Sequence, residues 1–385
     1  MAVNELKWYG IFAVLFGIIL SIADPITDIF TLVEFYRTDH KTWFGVGLTF
    51  IILPSLFFLA VNSALAANWT RYDEESEQVE YQCTAWKSTH VFVLGCNPLF
   101  PAWLKLRTLY CYLKKLLKLR QGNNTDQTGE NLDGLLWLSK LCVLAEAALE
   151  SAPQFIIQLY ALAVQQHSVS VIQMVSLPVS FLNLAWASTV GDEIVRSDEG
   201  GFHFSVKHTV LLFVTHLFIL SSRLFAVALF TVSYKWWVTG VLILHCTVIT
   251  ICSSFGLCRA QSADSNGGRS ESVVYFCLHW LRDDLSLQVI LDFAGYTEHL
   301  RMLLLSNVLF VIENITMILL FYFSHFPHTW YSLPVTIYVC LFSVLGTGMR
   351  LTHFYFLTKE SNGQSNNTDQ VQQQSYSNPI EVAAT

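Results

Sequence analysis

The sequence predicts an all-α polytopic membrane protein: about eight transmembrane helices plus two half-inserted (re-entrant) segments, arranged as an internal repeat of two halves. Three observations lead there. Of 385 residues, 53% are hydrophobic and only 13% charged, against about 25% charged in a soluble domain. Apolar stretches of about 20 residues or more recur along the chain, long enough to cross a hydrocarbon core about 30 Å thick. Within them the polar residues return at steps of three and four, which puts them on one face of a helix.

The first apolar run, about Trp8 to Val33, continues through Asp24 and Asp28 with no small-residue cleavage site. It reads as a first span and not as a signal peptide. A short loop with Arg37 and Lys41 leads to a second span, about Trp43 to Ala66. The next apolar piece, Val91 to Trp103, is short and carries Pro98 and Pro101; that length suits a half-inserted segment. Lys105, Arg107, Lys114, Lys115, Lys118 and Arg120 then alternate with Leu and Tyr at helical spacing, the pattern of a basic amphipathic helix lying against the cytoplasmic leaflet.

After a polar loop over 121–134, Leu135 to Val164 forms the central span. Span four is about Ser168 to Val190, and a charged loop precedes span five, Thr209 to Tyr234. Span six is about Trp236 to Cys258. The stretch Val273 to Phe293, interrupted by Arg282, Asp283, Asp284 and Asp292, is the second half-inserted segment. Spans seven and eight cover about Arg301 to Phe323 and Leu333 to Leu357, and Gly346 with Gly348 in the last mark close helix packing. The organisation is therefore a first membrane repeat over 1–190, a second over 191–357, and a disordered polar tail over 358–385. Eight crossings put both termini on one side, and the basic segment at 105–120 makes that side cytosolic. The four sequons, at Asn68, Asn123, Asn314 and Asn366, are then expected to stay unglycosylated.

The central span carries Glu146, Glu150, Gln154 and Gln158 at an unbroken spacing of four, a stripe roughly 18 Å long at about 1.5 Å per residue. Charge at membrane depth costs at least about 2.5 to 3.5 kcal/mol per residue, so such groups face partners, water or a pathway. Span one repeats the theme with Ser21, Asp24, Asp28 and Thr31; span four offers Gln173, Ser176, Ser180 and Asn183; span five brings His216 and Arg223. In the repeat, Glu146 stands opposite Glu313 of span seven. One reading is a hydrophilic track along which a lipid headgroup or an ion moves. The other is that Arg223 and Lys140 pair with the carboxylates to hold the helices together. Pro153, directly after the glutamates, should kink the helix or free a carbonyl one turn back.

No GxSxG, HExxH, GxxxxGK[ST] or GxGxxG pattern occurs, and the odd set of nine cysteines forms neither a disulfide framework nor a zinc spacing. The chain is expected to be no enzyme, to need no cofactor or metal, and to bind no nucleic acid.

Several segments resemble the XK-related membrane proteins: IADPITDIF (Ile22 to Phe30), LESAPQFIIQLYAL (Leu149 to Leu162), LNLAWAS (Leu182 to Ser188), SRLFAVALF (Ser222 to Phe230), IENITMILL (Ile312 to Leu320) and the closing TIYVCLFSVLGTGMRLTHFYFL. The resemblance implies eight crossings with two half-inserted segments, cytosolic termini and, as in some members, ATP-independent phospholipid scrambling that exposes phosphatidylserine on apoptotic cells at the plasma membrane. It implies that Asp24, Asp28, Glu146, Glu150 and Arg223 line a headgroup path, to which spacing adds Gln154 and Gln158 and the alignment of the two halves adds Glu313. Its implied partners are membrane phospholipids and a single-span or lipid-transfer protein; it leaves oligomeric state open. Two departures stand out. The tail holds Asp369 in NNTDQ, without the paired acid of a caspase site, and Val143 stands where some members have an arginine. A non-scrambling scaffold and a small-solute transporter are the other classes consistent with these residues.

Overall fold

The computed structural model describes residues 8–73, 100–120, 139–165 except 141, 170–200, 206–245, 247, 300–324 and 330–377. All regular structure among them is helical. The long elements are α1 (Trp8–Arg37), α2 (Lys41–Asp73), α3 (Phe100–Arg120), α4 (Ala152–Val164), α5 (Val171–Gly200), α6 (Val206–Tyr234), α7 (Leu300–Phe323) and α8 (Ser332–Ser377). Seven helical stretches among the described residues are long and apolar enough to cross a membrane. Span six is described only as far as 247, and the second half-inserted segment (273–293), most of the first, and the loop over 121–134 lie outside the described residues.

The most buried helix is α6, which packs against α4, α5, α7 and α8. Its two faces serve two cores. Leu220, Leu224 and Ala228, spaced by four, join Val143, Ala147, Ala152, Phe155 and Leu184. Ala226, Val227 and Phe230 join Met317, Ile318, Phe321 and Val339 of α7 and α8. Helices α2 and α3 lie against α1. Large apolar side chains such as Phe12, Ile19, Ile26 and Phe30 of α1 point outward, and Trp236, Trp237 and Trp330 are exposed beside the span ends. An apolar exterior with aromatic ends suits a lipid surround.

Two of the connections are tight turns. The α1–α2 connection turns through Asp39 (φ 63°), and the turn after α6 passes through Lys235 (φ 45°). Asp is among the residues that enter the left-handed region most readily; Lys is not, so the second turn is held by its neighbours.

Three expectations change. The charged segment after span four is helical as far as Gly200, to which α5 continues, while 201–205 lie outside the described residues. The polar segment after Leu357 is not disordered along its whole length, since α8 runs unbroken to Ser377; a helix already nucleated by a packed span extends at little further cost. The third concerns α3. It packs on α1, with Ala102, Leu104, Lys105, Thr108, Cys111 and Tyr112 buried, so one of its lysines faces the protein interior and not the leaflet. Close packing of α8 is found at Gly346, where an added Cβ would lie 2.7 Å from Ile219 Cγ1, but not at Gly348, which has nothing within 4 Å.

Candidate functional site

The stripes of span one, the central span and span four meet in a single interface. Ser21, Asp24, Asp28 and Thr31 on α1, Glu146, Glu150, Ser151, Gln154 and Gln158 on the central helix, and Gln173, Ser176, Ser180 and Asn183 on α5 are all at most 2% exposed. Local structure in the central helix sets their angle. Three steps of four residues would drift about 120° round an α-helix advancing about 100° per residue. Between Ala147 and Ser151 the chain instead makes a π turn, and the Ala152 N–H reaches back five residues to the Ala147 carbonyl. This wider turn takes back part of the drift. Pro153, next in sequence, has no N–H to give the Leu149 carbonyl, so the α-helical pattern is already interrupted there.

Asp24 is the best-supported acid. Ser151 Oγ donates to its Oδ2 at 2.5 Å, Ser180 Oγ to its Oδ1 at 2.5 Å, and Asn183 Nδ2 to its Oδ2 at 2.9 Å. One turn on, Asp28 Oδ1 accepts from Gln158 Nε2 and Ser176 Oγ, each at 2.9 Å, and from Ser180 Oγ at 3.3 Å. Glu146 Oε2 accepts from Ser21 Oγ at 3.3 Å. Ser21 in turn accepts from Lys105 Nζ, which also donates to the Gly17 carbonyl at 3.1 Å. The stripe thus begins at a buried ammonium contributed by α3.

Acceptors remain over. Asp28 Oδ2, Glu146 Oε1, Glu150 Oε1, Gln158 Oε1 and Asn183 Oδ1 are buried without a hydrogen-bond partner. Glu150, within electrostatic reach of Glu146, Asp24 and Asp28, makes no hydrogen bond among the described residues. Of the four carboxylates, Glu146 and Asp24 lie within electrostatic reach of Lys105, and the donors that bond Asp24, Asp28 and Glu146 are hydroxyls and amides. No group of three or more His, Cys, Asp or Glu among the described residues is placed to hold a metal ion.

A second polar cluster lies on the other side of α6. Arg223 Nη1 donates to Glu313 Oε2 at 2.6 Å and to Asn314 Oδ1 at 3.0 Å, and His245 Nδ1 is 2.8 Å from the same Glu313 oxygen. The face of α6 explains the separation: Arg223 shares its side with Ala226, Val227 and Phe230, which meet α7 and α8, whereas the stripe's helices meet Leu220, Leu224 and Ala228. Towards the start of α6, His216 Nε2 pairs with Asp192 Oδ2 of α5 at 3.0 Å, both buried, and His208 Nδ1 is 3.4 Å from His353 Nε2 of α8.

Comparison with known proteins places this arrangement. A family model described as XK-related protein matches residues 12–359, nearly the whole chain. The chain belongs to the XK-related family. A relative, XK-related protein 9 of Tetraodon nigroviridis, is 24% identical over 299 residues, covering 70% of this chain and 77% of the relative.

In this XK-related chain the eight residues singled out from sequence divide. Asp24, Asp28, Glu146, Glu150 and Gln158 come together, while Gln154 turns to α2 and donates to the Gly47 carbonyl at 2.5 Å. Arg223 and Glu313 pair with each other across the α6–α7 interface and do not extend the acid stripe. Lys105 lies within electrostatic reach of Glu146 and Asp24, whereas Arg223 pairs with Glu313. Sequence reasoning missed Lys105 because five other basic residues in its helix pointed to a leaflet surface. The available signal was its register with Leu104, Thr108, Cys111 and Tyr112 on the buried face. Asp192 and His245 were missed as well, the first assigned to a loop and the second a lone histidine in an apolar run. Val143 is a core residue, 4% exposed beside Leu220 and Leu224.

Proposed function

We propose that this XK-related protein is an ATP-independent phospholipid scramblase, not an enzyme, in which lipid headgroups move along the stripe of Asp24, Asp28, Glu146, Glu150 and Gln158 while the acyl chains stay in the bilayer. Its setting is the plasma membrane, multi-pass with both termini cytosolic, and its output is exposed phosphatidylserine. The observation that carries the reading is the row of five buried, unpartnered acceptor oxygens inside a membrane-spanning interface. Buried polar groups are ordinarily satisfied, and those that are not call for a ligand, water or ion. A headgroup ammonium supplies the missing donors. Passage requires α1 to part from the central helix and α5, because the stripe is closed at 2% exposure or less.

That closure favours a second reading, a non-scrambling scaffold that holds a single-span or lipid-transfer partner and whose charges only bind the helices together. Fluorescent-lipid scrambling by the purified chain in liposomes separates the two. The scramblase reading expects flipping that falls at least about tenfold in Glu150→Ala, the loss of one interaction of about 1.4 kcal/mol. A folded protein that moves no lipid supports the scaffold, and flipping unchanged by Glu150→Ala keeps the scramblase but takes its headgroup route away from the stripe. Saturable solute flux without lipid movement would instead mark a transporter.

A further inference from the structure

We infer that the outer face of α3 is a docking surface for anionic phospholipid, set in the leaflet beside the Lys105 end of the acid stripe. The helix has two unlike faces. Leu104, Lys105, Thr108, Cys111 and Tyr112 are buried, on a helix that packs against α1. Opposite them Leu106, Tyr110 and Leu113 stand 48%, 64% and 38% exposed, and at about 100° per residue they fall within roughly 60° of one another. An exposed apolar ridge on an amphipathic helix belongs among acyl chains. Basic groups run along one edge of it. Exposed Lys114 holds its Nζ 5.9 Å from the centre of the Tyr110 ring, and half-buried Arg107 lies 5.7 Å from that of Trp103. Such stems lie along apolar surface while their charged heads stay at the polar boundary, the level at which lipid phosphates are found.

Charge names the occupant. Between Phe100 and Arg120 the helix carries Lys105, Arg107, Lys114, Lys115, Lys118 and Arg120 and no Asp or Glu. A zwitterionic leaflet would accept the ridge but leave these cations without counter-charge. Anionic phospholipid meets both needs, with acyl chains for Leu106, Tyr110 and Leu113 and negative headgroups for Arg107 and Lys114. Lys105 is turned the other way, donating to the Gly17 carbonyl and Ser21 Oγ of α1 within electrostatic reach of Glu146 and Asp24. One helix therefore joins a lipid-facing surface to the stripe, and lipid held on its outer face braces the seat of Lys105 on α1.

The test places the full-length protein in nanodiscs of phosphatidylcholine, alone or mixed with phosphatidylglycerol, and follows amide hydrogen exchange across α3. Each basic residue near an anionic surface strengthens binding about fivefold. Exchange is therefore expected to slow at least about fivefold in the anionic discs, and to return to the phosphatidylcholine rate at high salt. The double variant Arg107→Gln, Lys114→Gln should show no lipid dependence. Lys114→Gln alone, at an exposed position where folding is not at stake, should lose a severalfold share of the difference. Equal exchange in both discs overturns the inference and leaves α3 a helix set among acyl chains alone. A slowing that neither salt nor the double variant removes overturns it as well. Lipid flipping plays no part in this readout, so its outcome is separate from that of the scramblase reading.

Discussion

At the residue scale, the two central acids should respond to substitution in opposite directions. Asp24 holds three donors, from Ser151, Ser180 and Asn183. In Asp24→Ala these lose their acceptor inside the bundle, at about 1–3 kcal/mol for each buried group left unpaired. Thermal unfolding in detergent should show a clear drop in Tm. Glu150 makes no hydrogen bond among the described residues, and replacing a carboxyl buried beside three others relieves its desolvation and their repulsion. Glu150→Gln is expected to keep or raise Tm while lowering lipid flipping. If both variants destabilise equally, the stripe is one structural network and Glu150 has no claim to a ligand. The acids are legible in the sequence, because a four-residue spacing within an apolar run gathers them on one inward face. Their unequal satisfaction is not, since it depends on where the side chains of Ser151, Ser180 and Asn183 point.

At the element scale, the π turn before α4 and the α6–α8 crossing decide how faces align. Pro153→Ala restores an N–H opposite the Leu149 carbonyl and permits a regular α-helix in place of the turn at Ala147–Ser151. Glu146 and Glu150 would then rotate relative to Gln158. Flipping is expected to fall while Tm holds, and flipping that stays normal would show that the π turn does not set the register. Gly346 and Gly348 make a second contrast. Gly346→Leu drives a side chain into Ile219 at the α6–α8 contact, at about 1–3 kcal/mol, whereas Gly348→Ala meets nothing and should leave Tm unchanged or slightly raised. Two glycines two residues apart invite the expectation of close packing at both. Helical positions that near in sequence point about 200° apart, so only one can face α6.

At the scale of the whole molecule, α6 packs between the two polar clusters while keeping them on separate faces, and α8, which packs on α6, runs on as one helix to Ser377. A shift of the α8 extension would therefore be transmitted to α6 and, through it, to the core shared with the central helix and α5. Scrambling by the full-length chain, compared with a form ending near Lys359, measures this: activity that appears only after truncation identifies the extension as a restraint, and equal activity of the two forms dismisses it.

Composition, span length and polar periodicity determined, from the sequence alone, that the chain is a helical membrane protein with its acids and amides on inward faces; the family came from the resemblance of particular segments and from the match to the family model. Those features are local: the hydrophobic cost of misplacing a polar face is settled within each helix. Tertiary structure decided the pairings. It put Lys105 and not Arg223 beside the carboxylates, sent Gln154 to Gly47, and joined Asp192 to His216 and Arg223 to Glu313. Helical periodicity gives the angle at which a side chain leaves its own axis, and which neighbour waits there depends on how the other helices cross.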